Sequence, residues 1–259
     1  MSLTYERVQS HLERLKLKRV AELIDPIAEQ ASKEKLSYLD FLDRLLDAEA
    51  AARAERRMLA KTRLAHFPFV KTLTDFDFHF QPSIDRKQIQ ELATLRFLAH
   101  GENVIFLGPP GVGKTHLAVA LGVEAVAHGA NVYFITIPDL LDQLARDVQE
   151  NRLSDHLRSL RHPTLLILDE MGYLPLDQVA TSFLFQLVSK RYTKGSIIVT
   201  SNKSYAEWGS VFGDEVAAAA VIDRLLHYST TVNIRGESYR LKDKKRAGVF
   251  STPAAKSSS

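Results

Sequence analysis

The 259-residue chain contains no cysteine, which excludes disulfides and thiolate metal sites. That absence fits a reducing compartment, so a cytoplasmic location is expected. No apolar run approaches the roughly 20 residues that a membrane-spanning helix needs, and the N-terminal stretch is charged throughout. Neither a membrane partner nor a signal peptide is expected. A dominant charge is lacking too: 34 Lys and Arg against 31 Asp and Glu leave a formal net charge of +3. Any surface suited to a polyanion must therefore be local. Residues 1–64 contain no glycine, and no internal repeat is visible. The composition is that of an ordinary globular protein, long enough for one large domain with a smaller companion.

What is present is organised around Gly108-Pro109-Pro110-Gly111-Val112-Gly113-Lys114-Thr115-His116. The stretch follows Asn103-Val104-Ile105-Phe106-Leu107, which reads as a buried strand, and runs into an apolar helical pattern. Strand, glycine-rich turn and helix form the context of a G-x-x-x-x-G-K-[ST] phosphate loop. The glycines let successive backbone N–H groups face a phosphate, and the helix N-terminus adds the positive end of its dipole. Lys114 is expected to reach the β- and γ-phosphates and the Thr115 hydroxyl to ligate Mg²⁺. A nucleoside triphosphate ligand follows.

Upstream, residues 1–64 read as helical. Leu12, Leu15, Val20, Leu23 and Ile24 mark one apolar face, Pro26 is expected to interrupt it, and Ser37 is placed to cap a second helix. That helix carries Leu39, Leu42, Leu45 and Leu46 as its apolar stripe and then turns basic, with Arg53, Arg56, Arg57, Lys61 and Arg63 against Glu49 and Glu55. The basic run suits DNA phosphates, with a solvated helix face as the alternative. Phe67-Pro68-Phe69 and Phe76-Asp77-Phe78 break the helical pattern, which predicts a linker at about 65–80. Its aromatics are read as packing residues, with contact to an adenine ring as the alternative.

From 84 onward, helix and strand patterns alternate. Helices are predicted at 84–100, 139–150, 153–160, 178–192 and 216–226, and strands at 103–107, 131–136, 164–168, 196–200 and 230–234. This is the signature of a mainly parallel sheet flanked by helices, with ligands at the carboxyl ends of the strands. The predicted organisation is a helical domain over 1–66, an ATPase domain over 67–249 and a disordered tail over 250–259.

Leu165-Leu166-Ile167-Leu168 is followed by Asp169 and Glu170, so two carboxylates emerge at the end of a buried strand. Asp169 is expected to hold Mg²⁺ and Glu170 to polarise the attacking water. Ser196-Ile197-Ile198-Val199-Thr200-Ser201-Asn202 is another buried strand, and the Asn202 amide can hydrogen-bond that water or the γ-phosphate. Among the arginines, Arg224 and Arg240 lie downstream, and composition and spacing do not choose between them and the others.

Four segments carry a family resemblance: 108–118, Leu-Asp-Glu-Met-Gly-Tyr-Leu-Pro-Leu at 168–176, Thr-Ser-Asn at 200–202 and Gly-Glu-Ser-Tyr-Arg at 236–240. Together they resemble the AAA+ ATPases of the IstB type, helpers of insertion-sequence transposition related to DnaC-type helicase loaders. The resemblance runs from about 36 to 246, and the segments at 170–176 and 236–240 are its most specific part. It implies an AAA+ P-loop fold behind a small all-α domain. It further implies sensor 1 at Asn202, an arginine finger for a neighbouring subunit at Arg224 and sensor 2 at Arg240. Only 19 residues follow Arg240, so no separate helical lid is expected.

The resulting expectation is a Mg²⁺-dependent ATPase that assembles into a homo-oligomer through ATP at subunit interfaces. It would bind duplex DNA and assist a transposase. A replicative helicase loader and a DNA-binding module without hydrolysis are the alternatives.

Overall fold

A computed structural model describes residues 3–213 and 215–241 of the chain. The predicted tail at 250–259, and residues 242–249 of the predicted ATPase domain, lie outside the described residues. The chain divides into two units, Met1–Ala60 and Lys61–Ser259. The division falls inside one helix rather than at the 66/67 boundary drawn from the sequence.

In the first unit, α1 (Leu3–Arg14) and α2 (Lys18–Glu34) are separated by a turn with Lys16 in the left-handed region. One predicted helix is thus two. Pro26 lies inside α2 and does not end it, contrary to expectation. A proline inside a helix removes one N–H donor. Here Leu23, Ile24 and Ile27 on either side pack against Leu12, Val20 and Leu45, which holds the helix together across the gap. Ser37 caps α3 (Tyr38–Leu64): its hydroxyl accepts from the Asp40 N–H at 3.1 Å, and Asp40 accepts from the Ser37 N–H at 3.3 Å. Of the predicted leucine stripe on α3, only Leu45 is buried; Leu39, Leu42 and Leu46 are exposed.

The second unit is built on β1 (Asn103–Leu107), β2 (Val132–Thr136), β3 (Leu165–Met171), β4 (Ser196–Ser201) and β5 (Ser229–Asn233). They pair in the order β2-β3-β4-β1-β5, all parallel. Side chains alternate between the two faces of a strand, and both faces are apolar here. Ile105, Leu107, Leu166, Leu168, Ile197 and Val199 point to one core, and Val104, Phe106, Leu165, Ile167 and Ile198 to the other. The first core is covered by α7 (Ile137–Gln149), α8 (Leu153–Arg161), α9 (Gln178–Arg191), α10 (Tyr205–Phe212) and α11 (Glu215–His227). The second is covered by α4 (Arg86–Ala93), α5 (Arg96–His100) and α6 (Lys114–Ala127). The result is a three-layer α/β sandwich with β1 near the sheet centre.

The helix predicted at 84–100 is two helices, because Leu95 takes a left-handed conformation (φ 60°) between α4 and α5. Helix α10 was not predicted, although Ser204 and Glu207 form a capping box at its start. The predicted linker at 65–80 packs into the second core instead of bridging domains. Ala65 is fully buried, and its carbonyl accepts from the Phe134 N–H at 2.8 Å. Phe67, Phe76 and Phe78 pack on the same core. Arg191 is also buried, donating to the carbonyls of Leu160, Pro163 and Ser196 at 2.9 Å each, and burial lowers its pKa to about 10.

Candidate functional site

The site is built where β1 ends and α6 begins. Gly111 (φ +81°) and Gly113 (φ +100°) hold backbone conformations that L side chains rarely adopt. Each is also tightly covered. A Cβ at Gly111 would collide with the Ser238 hydroxyl, and one at Gly113 would lie 2.5 Å from Cε2 of Phe76. The covering residues come from far apart in sequence. The Tyr239 N–H donates to the Gly111 carbonyl at 2.9 Å, so the Gly-Glu-Ser-Tyr-Arg segment sits directly on the phosphate loop.

Lys114 folds back on its own loop, donating to the carbonyls of Gly108 (2.7 Å) and Pro109 (2.8 Å). Burial pushes its pKa down; the Asp169 carboxylate opposes that and Arg240 adds to it. A desolvated ammonium held only by neutral carbonyls is a ready partner for a phosphate anion. His116 turns the other way. Its Nε2 lies 3.1 Å from the Thr72 carbonyl and its ring stands edge-on to Phe76 at 5.2 Å, so it fastens α6 to the 65–80 segment. Burial lowers its pKa.

The carboxylates depend on a bulge. Leu168 is opposite Val199 and Met171 is opposite Ser201, so Asp169 and Glu170 together face the single residue Thr200. The extra residue sends the two acids in different directions. Asp169 is buried, accepting from the Thr115 hydroxyl at 2.9 and 3.0 Å and from the Thr200 hydroxyl. Glu170 takes φ +63° and is exposed, and its N–H donates to Thr200 Oγ1 at 3.1 Å. Burial raises the Asp169 pKa; Thr200, Thr115, Lys114 and Arg240 oppose that rise without cancelling it.

Ser201, also buried, donates to the Met171 carbonyl at 2.6 Å and accepts from the Trp208 indole N–H (3.2 Å) and the Lys203 N–H (3.0 Å). These bonds fix the turn that presents Asn202.

A cavity of about 510 Å³ opens at this end of the sheet. Pro110 to His116, Glu170, Asn202 and Arg240 line it, joined by Phe69 and Phe76 of the aromatic stretch and by residues not singled out as site residues from the sequence: Asp75, Asp77, Gln81, Tyr173, Thr200, Ser201 and Tyr239. Asp169 lies behind Thr115 and Thr200. Thr200 and Ser201 carried a readable signal as part of Thr-Ser-Asn, and Tyr173 and Tyr239 lie within the family-specific segments at 168–176 and 236–240; Asp75 and Gln81 arrive only through packing of the supposed linker. Arg224 is not among the lining residues. It donates to the Ala220 carbonyl at 2.8 Å and lies 5.0 Å from the centre of the Phe185 ring. A larger cavity, about 730 Å³, lies at α8 and α9 and contains none of the motif residues.

The basic run of α3 is only partly available for a partner. In the first unit Glu49 is buried and accepts from the N–H groups of Arg19 (2.7 Å) and Val20 (3.2 Å) at the start of α2. Arg53 (2.9 Å) and Arg56 (3.1 Å) both pair with it, and Arg53 also donates to the Lys16 carbonyl at 3.1 Å. Burial pushes the Glu49 carboxyl up, but the bonds from Arg53, Val20 and Arg19 outweigh it and hold the value low. In the second unit Lys61 donates to the Gly129 carbonyl. Arg57 and Arg63 are exposed.

Among the described residues, no cluster of three or more His, Cys, Asp or Glu side chains could hold a metal, and no helix is long and apolar enough to cross a membrane. One carboxylate and one hydroxyl, both oxygen donors, suit a magnesium ion that takes its remaining ligands from water and phosphate.

Comparison with known proteins agrees with this arrangement. Residues 10–247 match the family model described as IstB-like ATP binding protein. The chain is 52% identical over 239 residues to the ATP-binding protein of insertion sequence IS21 from Pseudomonas aeruginosa, covering 92% of this chain and 90% of that one. It is 49% identical over 240 residues to the corresponding protein of IS5376 from Geobacillus stearothermophilus, covering 93% and 96%. Among solved structures, DnaI aligns with a TM-score of 0.55 at 21% identity, over 63% of this chain and 90% of that one. AMPPCP-bound DnaA from Aquifex aeolicus aligns with a TM-score of 0.56 at 19% identity, over 74% and 58%. These two likenesses speak to the fold, which is that of the AAA+ P-loop proteins. On the motifs, the fold and the match across nearly its whole length, the chain belongs to the family of IstB-like ATP-binding proteins of insertion sequences.

Proposed function

We propose that the protein is a Mg²⁺-dependent ATPase that assembles through ATP into a homo-oligomer, binds duplex DNA and assists a transposase. One observation carries the hydrolytic part: the bulge in β3 that buries Asp169 against Thr115 while turning Glu170 out into the cavity beside Asn202 and Lys114. A site that only bound nucleotide would not need a second, exposed carboxylate in a strained conformation. Membership of the insertion-sequence family supports the DNA and transposase part and favours it over helicase loading, for which the likeness to DnaI supports the fold alone.

Each residue has a distinct task. The loop N–H groups and Lys114 bind and orient the phosphates. Thr115 and Asp169 would hold the magnesium ion, which when bound neutralises charge on the β- and γ-phosphate oxygens. The Glu170 carboxylate accepts a proton as the oxygen of water attacks the γ-phosphorus and the bond to the β-phosphate oxygen breaks. The products are ADP and inorganic phosphate. Asn202 hydrogen-bonds the water or the γ-phosphate, and Arg240 adds positive charge at the same mouth. Arg224, outside its own cavity, serves the ATP of the adjoining subunit.

Two variants test this reading. Lys114→Ala should lose ATP binding, whereas Glu170→Gln should bind ATP, fail to release phosphate and accumulate as the ATP-bound assembly on DNA. Phosphate release by Glu170→Gln at the wild-type rate would remove Glu170 from the mechanism.

A further inference from the structure

We propose that Thr200 is a positioning residue whose single hydroxyl ties the Asp169 carboxylate to the Glu170 peptide and so aims Glu170. The inference rests on the hydrolytic reading above and deepens it. A threonine hydroxyl has one proton to give and lone pairs to receive with. At Thr200 the proton goes to Asp169 Oδ1, which leaves a lone pair for the Glu170 N–H at 3.1 Å. The peptide that carries the proposed base is therefore hung on the group that holds the buried acid.

The bulge makes this hydroxyl necessary. Thr200 is the only β4 residue opposite both Asp169 and Glu170, so the ordinary ladder offers that N–H no strand partner. Glu170 also sits at φ +63°, a conformation a non-glycine residue keeps only when its surroundings hold it. Without the hydroxyl, the Glu170 peptide is free to relax and its carboxylate to leave the line of attack. Thr200 is itself 1% exposed on a central strand, so its own position is rigid.

Thr200→Val keeps the shape and the β-branching and removes only the hydroxyl; Thr200→Ser keeps the hydroxyl and removes the methyl. A positioning role predicts that Val lowers kcat for ATP hydrolysis by roughly 10–100-fold, the range for losing the hydrogen-bond partner of a metal ligand, which Asp169 would be. Binding of a non-hydrolysable ATP analogue should change by less than about threefold, and Ser should restore most of the turnover. A packing role predicts the reverse order, with Ser the worse variant. A second readout is independent of activity: amide hydrogen exchange in the peptide spanning 168–172 should speed up in Val and not in Ser. If Val does not fold, Ser and Thr200→Ala, which differ by the hydroxyl alone, decide the matter. Equal kcat and equal exchange in that pair, or wild-type kcat in a folded Val variant, overturns the proposal. Glu170→Gln serves as the control. If it still turns over, the hydrolytic reading fails; if it is inactive while Val is fully active, only the role of Thr200 falls.

Discussion

Replacing Asp169 by Asn should make the nucleotide-free protein more resistant to heat while removing the stabilisation it gains from ATP and magnesium. Burial raises the Asp169 pKa, and the hydroxyls of Thr200 and Thr115, then Lys114 and Arg240, only partly offset it. A carboxyl whose folded value lies above its unfolded value, about 3.9, contributes its stability below that pH. It loses the contribution as pH rises through the folded value. At pH 7 the ionised carboxylate is thus a net cost to the nucleotide-free fold. Asparagine keeps an acceptor oxygen for the two threonine hydroxyls and carries no charge. The gain in the variant should be largest near pH 8 and shrink as pH falls toward 4. With ligand the order reverses. At a free concentration 100 times Kd, ATP with magnesium stabilises the wild type by about 2.7 kcal/mol. For a domain of this size that is roughly 5–11 °C in Tm. The assay is thermal unfolding of both proteins from pH 4 to 8, with and without ATP and magnesium. A lower nucleotide-free Tm in the variant at pH 7, or an undiminished ligand shift, would refute the account of Asp169.

Gly113→Ala should weaken ATP binding by roughly 5- to 150-fold by calorimetry. The φ of +100° and the Phe76 ring 2.5 Å from the new Cβ together oppose the loop conformation by on the order of 1–3 kcal/mol. An unchanged Kd would mean the loop does not need that shape. Arg224→Ala and Lys114→Ala should each be inactive alone yet recover some phosphate release when mixed. An intact phosphate loop from one then meets an intact arginine from the other, and mixed assemblies without activity would place Arg224 in a same-subunit role. For DNA, Arg57→Ala and Arg63→Ala should each flatten the slope of log affinity against log salt by about 0.9 for every DNA phosphate that the arginine neutralises. Unchanged slopes in folded variants would move the DNA surface elsewhere, with the exposed Arg146 of α7, Arg152 just before α8 and Arg158 of α8 next to be tested. Arg53→Ala, by contrast, should lower the helix content and melting temperature of the N-terminal unit, because Arg53 pairs with Glu49 and holds the Lys16 carbonyl.

The sequence by itself determined the layered α/β architecture, the phosphate loop and the Asp169–Glu170 pair, because these signals are local. A buried parallel strand is a short apolar run, a phosphate loop needs glycines at set spacing, and a strand in such a sheet ends at the ligand edge. Local signals failed where a distant contact decided the conformation. Pro26 would end an isolated helix, but the packing of Leu23, Ile24 and Ile27 carries α2 through it. The aromatic 65–80 stretch looks like a linker until Ala65 pairs with Phe134 and Phe76 covers Gly113. Arg53 and Arg56 read as free cations because nothing in a charge run reveals that Glu49 is buried between them and the start of α2. Only the tertiary structure set two β3 residues against Thr200 alone, since a bulge is a property of two paired strands. That pairing, and not the order of residues along β3, buries one carboxylate and exposes the next.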